Sequence, residues 1–254
     1  MSKKKQKTLT DAQKLDRAFN WLHVLYSQIP DTKGCIENIC KEGGCSAWCC
    51  TLQNPQVLEI EFMRVWKHIL KNWSLDQIND TVESALRNYL SMTPMKGCIF
   101  FDKTTKQCQV HEHRCYNCRL YAITPDEEFR PRFEKFQELY KGREDMFVKY
   151  QCDLVSTVDQ TKVTTEMSNS WWNRMIEIEK SIGIPAKDIH DGSGGSYMTY
   201  HDHVVLRVCS DVIMKQLQIL RNNGTQEERN LAVDGMMRVL RKNALVSENR
   251  EPNE

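Results

Sequence analysis

The chain has almost no net charge, no long apolar run and no internal repeat, and each lack removes a class of protein. Its 35 Lys and Arg against 34 Asp and Glu leave a formal charge of +1, so no global field draws it to nucleic acid or to a membrane surface. No window has the unbroken apolar length of a membrane span, and the N-terminus lacks the apolar core of a secretory signal. A reducing cytoplasm is therefore the expected compartment. There, clustered cysteines point to metal ligands or reactive thiols rather than to a disulfide framework. Eleven cysteines is also an odd number, which a complete set of internal bridges does not accommodate. The one local charge bias is at the start, where Lys3, Lys4, Lys5 and Lys7 precede any acid. Residues 1–9 read as a basic flexible tail, with a nucleic-acid contact as the sharper alternative.

What the chain does have is cysteine in one place. Cys40, Cys45, Cys49, Cys50, Cys98, Cys108, Cys115 and Cys118 put eight of the eleven in under a third of the length. Buried structural cysteines behave as scattered small hydrophobes, and bunching beside Gly, Lys and Asp is not that pattern. A chain of 254 residues has enough length to bury a core without help from metal, so the cluster is not a staple for a chain too small to fold.

Around the cluster the pattern is helical. Thr10 with Gln13 forms a capping box for a first helix with Ala12, Leu15, Phe19, Leu22 and Tyr26 on its inner stripe. Residues 31–55 are a loop broken by Gly34, Gly43 and Gly44 and punctuated by Cys35, Cys40, Cys45, Cys49 and Cys50; such a loop lets distant side chains converge. Val57, Ile60, Met63, Trp66, Ile69 and Leu70 predict a helix beside it, and Ser74 with Gln77 starts another to about Leu90. Cys98-Ile-Phe-Phe-Asp and Cys108-Gln-Val-His, joined by a polar turn, read as a short hairpin with a cysteine at each open end. Cys115-Tyr-Asn-Cys118 is a Cys-x-x-Cys, a spacing that lets two thiolates meet one metal; the redox-pair reading needs a βαβ context that is missing. Further helices are expected after Thr124-Pro125, around residues 166–181, from Cys209 to Leu220, and after Thr225 with Glu228. The stretch from 147 to 165 is the place for a domain boundary. The expected organisation is a tail over 1–9, a cysteine-cluster domain with flanking helices over 10–145, and a helical region over 146–254 packed on it. The fold class is mainly α with a small cysteine-rich β-hairpin and loop region, irregular α+β.

The order of these motifs resembles the YkgJ-type cysteine-cluster family, the zinc- or iron-chelating CxxCxxCC domain, over about residues 35–125. The matching positions are Cys40, Cys45, Cys49 and Cys50, then Cys98, Cys108, Cys118 and Arg119. Two departures stand out. The first loop is stretched to Cys-x4-Cys-x3-Cys-Cys, which leaves Cys35 and Cys40 as rivals for its first position. Cys115 replaces the proline of the last turn and supplies an eighth thiol that the family pattern does not require.

The chemistry points the same way without the family. Soft thiolates select zinc, copper(I) or iron–sulfur clusters over calcium or magnesium. A [4Fe–4S] cluster and a structural zinc each take four thiolates. Adjacent Cys49 and Cys50 diverge and are easier to place on a cluster, on two metals, or with one inert member, which tilts the reading to iron–sulfur, with zinc close behind. His111 and His113 read as exposed strand-end residues, with one of them replacing a thiolate ligand as the alternative. His190, His201 and His203 with Asp191 and Asp202 read as a solvated loop, with metal ligation as the alternative. Gly192 to Ser196 lacks the Lys and the strand–loop–helix context of a phosphate loop. Cys152 and Cys209 read as structural.

Three functions follow: a metal-cluster protein; a cluster-dependent protein-modifying enzyme using S-adenosylmethionine, which the resemblance implies because some relatives are flagellin lysine methylases; and a zinc-stabilised module that binds nucleic acid or protein. The chain shows neither a radical Cys-x3-Cys-x2-Cys motif nor a Gly-rich methyltransferase loop, so catalytic residues are unassigned, and the partner or substrate is an unnamed protein.

Overall fold

A computed structural model describes residues 9–33, 50–51, 54–91, 97–139, 141, 155–184 and 198–248. The elements, in chain order, are α1 (Asp11–Tyr26), β1 (Thr32–Lys33), α2 (Glu59–Asn72), α3 (Leu75–Leu90), β2 (Phe101–Asp102), β3 (Gln107–Cys108), a 3-10 turn (His111–His113), α4 (Tyr116–Leu120), α5 (Asp126–Leu139), β4 (Ser156–Thr157), α6 (Thr165–Ser181), α7 (Tyr200–Val208), α8 (Asp211–Asn223) and α9 (Gln226–Glu248). Among the described residues the protein is mainly helical, as the sequence pattern predicts, with two small antiparallel strand pairs.

The helix starts follow their side chains. Thr10 and Gln13 form a reciprocal capping box, as do Ser74 and Gln77. Thr225 and Glu228 do the same at α9, through Glu228 to the Thr225 amide at 2.7 Å and Thr225 Oγ1 to the Glu228 amide at 3.2 Å. Helix α2 lacks such a residue, because Leu58 stands at its cap. Two carboxylates substitute: Glu61 accepts from the Leu58 amide at 3.0 Å, and Glu179, from α6, accepts from the Ile60 amide at 3.0 Å. Both acids are sealed from solvent, and an anion there complements the positive end of the helix. Burial raises the pKa of each above the usual carboxylate value.

Two cores result. One gathers Phe62, Val65, Ile69, Val82, Leu86, Leu90, Phe100, Tyr200, Val204 and Val205 between α2, α3, α7 and the hairpin. The other gathers Ala18, Leu22, Leu25, Tyr26, Ile60, Trp171 and Met175 between α1, α2 and α6. Helices from the C-terminal half therefore pack directly on those from the N-terminal half: α7 on α3, α6 on α1, α9 on α3. Strand β4 pairs with β1, Thr32 opposite Thr157, across more than a hundred residues of chain. Three expectations change in detail. Ala12 is exposed, and the buried stripe of α1 runs through Ala18, Leu22, Leu25 and Tyr26. Leu70 of α2 is exposed as well. Cys209 does not open a helix; it closes α7, and Ser210 caps α8. The first part of the expected boundary, 147–154, together with Cys35, lies outside the described residues.

Candidate metal centre

The hairpin forms close to its predicted place. Phe101 pairs with Cys108 and Asp102 with Gln107. The Asp102 carboxylate accepts from the Thr104 amide at 2.7 Å and the Thr105 amide at 3.2 Å, closing the turn locally. Cys98 lies three residues before β2, one turn away from the strand rather than at its open end; the Phe101 amide bonds its carbonyl at 3.1 Å.

Cys98 is tied instead to the end of the first cysteine loop. Its amide donates to the Cys50 carbonyl at 2.7 Å. Gly97, at φ +101°, makes this approach possible: a Cβ there would stand 2.8 Å from the Thr51 carbonyl oxygen and 2.9 Å from that of Cys50. Only glycine meets both demands, the left-handed backbone and the close contact.

The Cys-x-x-Cys turn is held from three directions. Cys115 stands at the start of α4 and Cys118 one turn in, and the Cys115 thiol points at the Cys118 sulfur at 3.6 Å. Cys115 is fully buried, and its thiol also lies 4.0 Å from the Gln56 carbonyl, which accepts from Asn117 Nδ2 at 2.8 Å. The intervening Tyr116 is pinned at both ends: its amide donates to Glu61 at 2.6 Å, and its hydroxyl to the Ser168 carbonyl of α6. Glu61 also takes the hydroxyl of Tyr26. Arg119 donates to the carbonyls of Arg114 at 3.1 Å and Glu112 at 2.8 Å, and Arg64 to that of His113 at 3.2 Å. Both guanidiniums also lie 4.6 Å from the Tyr26 ring.

The thiols act on one another. The hydrogen bond from Cys115 and burial push the Cys118 thiol well above the ordinary thiol range, and charge on Cys115, Cys98 and Cys108 adds to the shift. Cys98, Cys108 and Cys118 pack against the core that contains Cys115. Sulfurs this close cannot all ionise in a dry site unless a cation neutralises them; a coordinating thiol loses its proton outright. Two ligands of one tetrahedral ion at about 2.3 Å each have sulfurs about 3.8 Å apart, and the Cys115–Cys118 separation fits that geometry. Among the described residues, no three Cys, His, Asp or Glu side chains are already gathered closely enough to hold an ion together. Cys40, Cys45 and Cys49 lie outside the described residues.

The histidines differ from expectation. His201 and His203 are not in a solvated loop: both are buried in α7, where Thr199 and Asp202 form the capping box. His201 Nε2 pairs with the Gly97 carbonyl at 3.3 Å and His203 Nε2 with the Val57 carbonyl at 2.8 Å, while His203 Nδ1 meets Glu59 at 2.9 Å. They dock α7 onto the cysteine region. His113 lies against His68 at a ring separation of 4.0 Å, in the turn and not at a strand end. His190, Asp191 and the Gly192–Ser196 segment lie outside the described residues. The sequence reading missed Glu61, Tyr26 and Arg64; each sits on a helix stripe with no local mark of its partner. Cys209 is buried in the core at the end of α7, its pKa pushed up to about 11 by burial, in keeping with a structural role.

The helical scaffold thus presents a thiol pair beside a short hairpin. Residues 39–153 match the family model CxxCxxCC, described as "Putative zinc- or iron-chelating domain". Neither the curated proteins nor the solved structures contain a match. Among the described residues, no helix is long and apolar enough to cross a membrane.

Proposed function

We propose that this protein binds a metal through thiolates drawn from Cys40, Cys45, Cys49, Cys50, Cys98, Cys108, Cys115 and Cys118, and that zinc is the ion of the Cys115–Cys118 pair. One observation favours a single-ion centre over a [4Fe–4S] cluster at this pair: the 3.6 Å between those sulfurs. It suits two ligands on a single tetrahedral centre. In a [4Fe–4S] cluster each cysteine occupies its own iron, and the sulfurs spread farther apart. The bound ion would supply charge neutralisation and a crosslink between the first cysteine loop, the hairpin and the α4 turn. Glu61, Arg64 and Arg119 keep that turn in place, and the α7 histidines tie Val57 and Gly97 to α7. The adjacent pair Cys49-Cys50 supports iron–sulfur as the second reading, since neighbouring side chains diverge and serve two metal atoms more readily than one.

Elemental analysis of anaerobically purified protein separates the two. Zinc in stoichiometric amount without acid-labile sulfide supports the first reading; iron with sulfide supports the second. Protein that carries neither metal and takes up neither contradicts both. The double substitution Cys115→Ser with Cys118→Ser is expected to abolish zinc uptake.

A further inference from the structure

Tyr200 lies outside the segment that the family model matches, yet the fold delivers it to the thiols. Residue Thr199 bridges to Gln56, and the Val57 amide donates to the Met198 carbonyl at 2.9 Å. Gln56 is the residue whose carbonyl faces the Cys115 thiol and holds Asn117. On the next turn-face, His201 bonds the Gly97 carbonyl, next to Cys98. Tyr200 is thus clamped between the two cysteine segments, with its ring edge-on to Phe100 at 4.8 Å.

Its hydroxyl is the anomaly. Tyr200 is 2% exposed, and its oxygen is fully buried with no hydrogen-bond partner among the described residues. Buried hydroxyls nearly always find one, and an orphan calls for an explanation. Tyr200 lies in the same core as Cys115, against which Cys98, Cys108 and Cys118 also pack, and its hydroxyl is free to donate. A neutral thiol is a weak acceptor, whereas a thiolate accepts a short, charge-assisted bond.

We propose that Tyr200 is a positioning residue of the metal centre, its hydroxyl donating to a metal-bound thiolate of the Cys98, Cys115 and Cys118 group. The inference rests on the thiolate-metal reading above. The orphaned donor then has its partner only when the metal is bound. Outer groups of this kind orient ligands, and their loss typically weakens metal binding by about 10–100-fold.

The test is Tyr200→Phe in the full chain, with Tyr89→Phe as control, probed with Zn(II) in chelator competition and with Co(II) by its thiolate charge-transfer band. The metal-free variant is expected to melt at or above the wild-type temperature, since only an unpartnered hydroxyl is gone. Its zinc affinity is expected to fall by about 10–100-fold, and its cobalt band to move, while the control changes neither. Wild-type affinity with an unmoved band in Tyr200→Phe overturns the inference and leaves the metal reading standing. A metal-free variant destabilised as much as the loaded one makes the hydroxyl a packing group, and also overturns it. A wild-type protein that takes up neither ion removes both.

Discussion

Replacing Glu61 tests how the scaffold holds the cysteine turn. Its two carboxylate oxygens take three donors from three parts of the chain: the Tyr26 hydroxyl of α1, the Leu58 amide at the start of α2 and the Tyr116 amide between the two cysteines. Glu61 is 1% exposed, and all three donors belong to buried residues, so water cannot replace it without opening the core. Glu61→Ala orphans all three at about 1–3 kcal/mol each, offset in part by relief of the carboxylate's own desolvation; the net loss is about 3–5 kcal/mol. Glu61→Gln keeps one carbonyl oxygen for the Tyr26 and Tyr116 donors and turns an amide against Leu58, so it costs about 1–2 kcal/mol. Urea unfolding of both variants at fixed pH measures the two losses, and zinc competition shows whether the turn has loosened. An alanine variant within 1 kcal/mol of wild type would refute the reasoning, as would a glutamine variant no better than alanine.

Other perturbations have equally definite outcomes. Glu179 has a folded-state pKa raised above the usual carboxylate value by burial, so the native state binds more protons than the unfolded one; its contribution is full below about 4.5 and is lost as pH rises through the raised value. Glu179→Gln is expected to flatten that decline in a series of urea midpoints, and an unchanged slope would exclude it as the source. Arg119→Ala removes two bonds to the carbonyls before Cys115 and is expected to cost about 1.5–3 kcal/mol, with Arg119→Lys recovering less than half because lysine lacks the fork; full recovery by lysine would mean that charge alone matters. Gly97→Ala meets both a left-handed φ and two carbonyl oxygens, so it is expected to lower the Tm and weaken metal binding together; a neutral effect on both would show that Cys50 and Cys98 need not be in contact.

Much of the scaffold is legible in the sequence because its signals are local. Thr10, Ser74 and Thr225, each with a Gln or Glu three residues on, mark helix starts that form as written. Asp102 with its polar turn marks the hairpin. What is not legible is set at long range. Leu58 gives no hint that Glu179 will cap its helix, nor Thr32 that it pairs with Thr157. Thr199 with Asp202 does carry a cap signature, but the histidines that follow resemble a polar loop; their buried bonds to Gly97 and Val57 make a helix of them instead. The thiol pair was marked by its spacing, whereas the tyrosine beside it belongs to another part of the chain and carries no motif.

The central claim is that cysteine sulfurs grip the ion, and X-ray absorption at the K-edge of the metal found in the purified protein measures this directly. A shell of sulfur neighbours at about 2.3 Å, reduced in number by Cys115→Ser with Cys118→Ser, is the predicted result. A first shell made only of oxygen and nitrogen would contradict it.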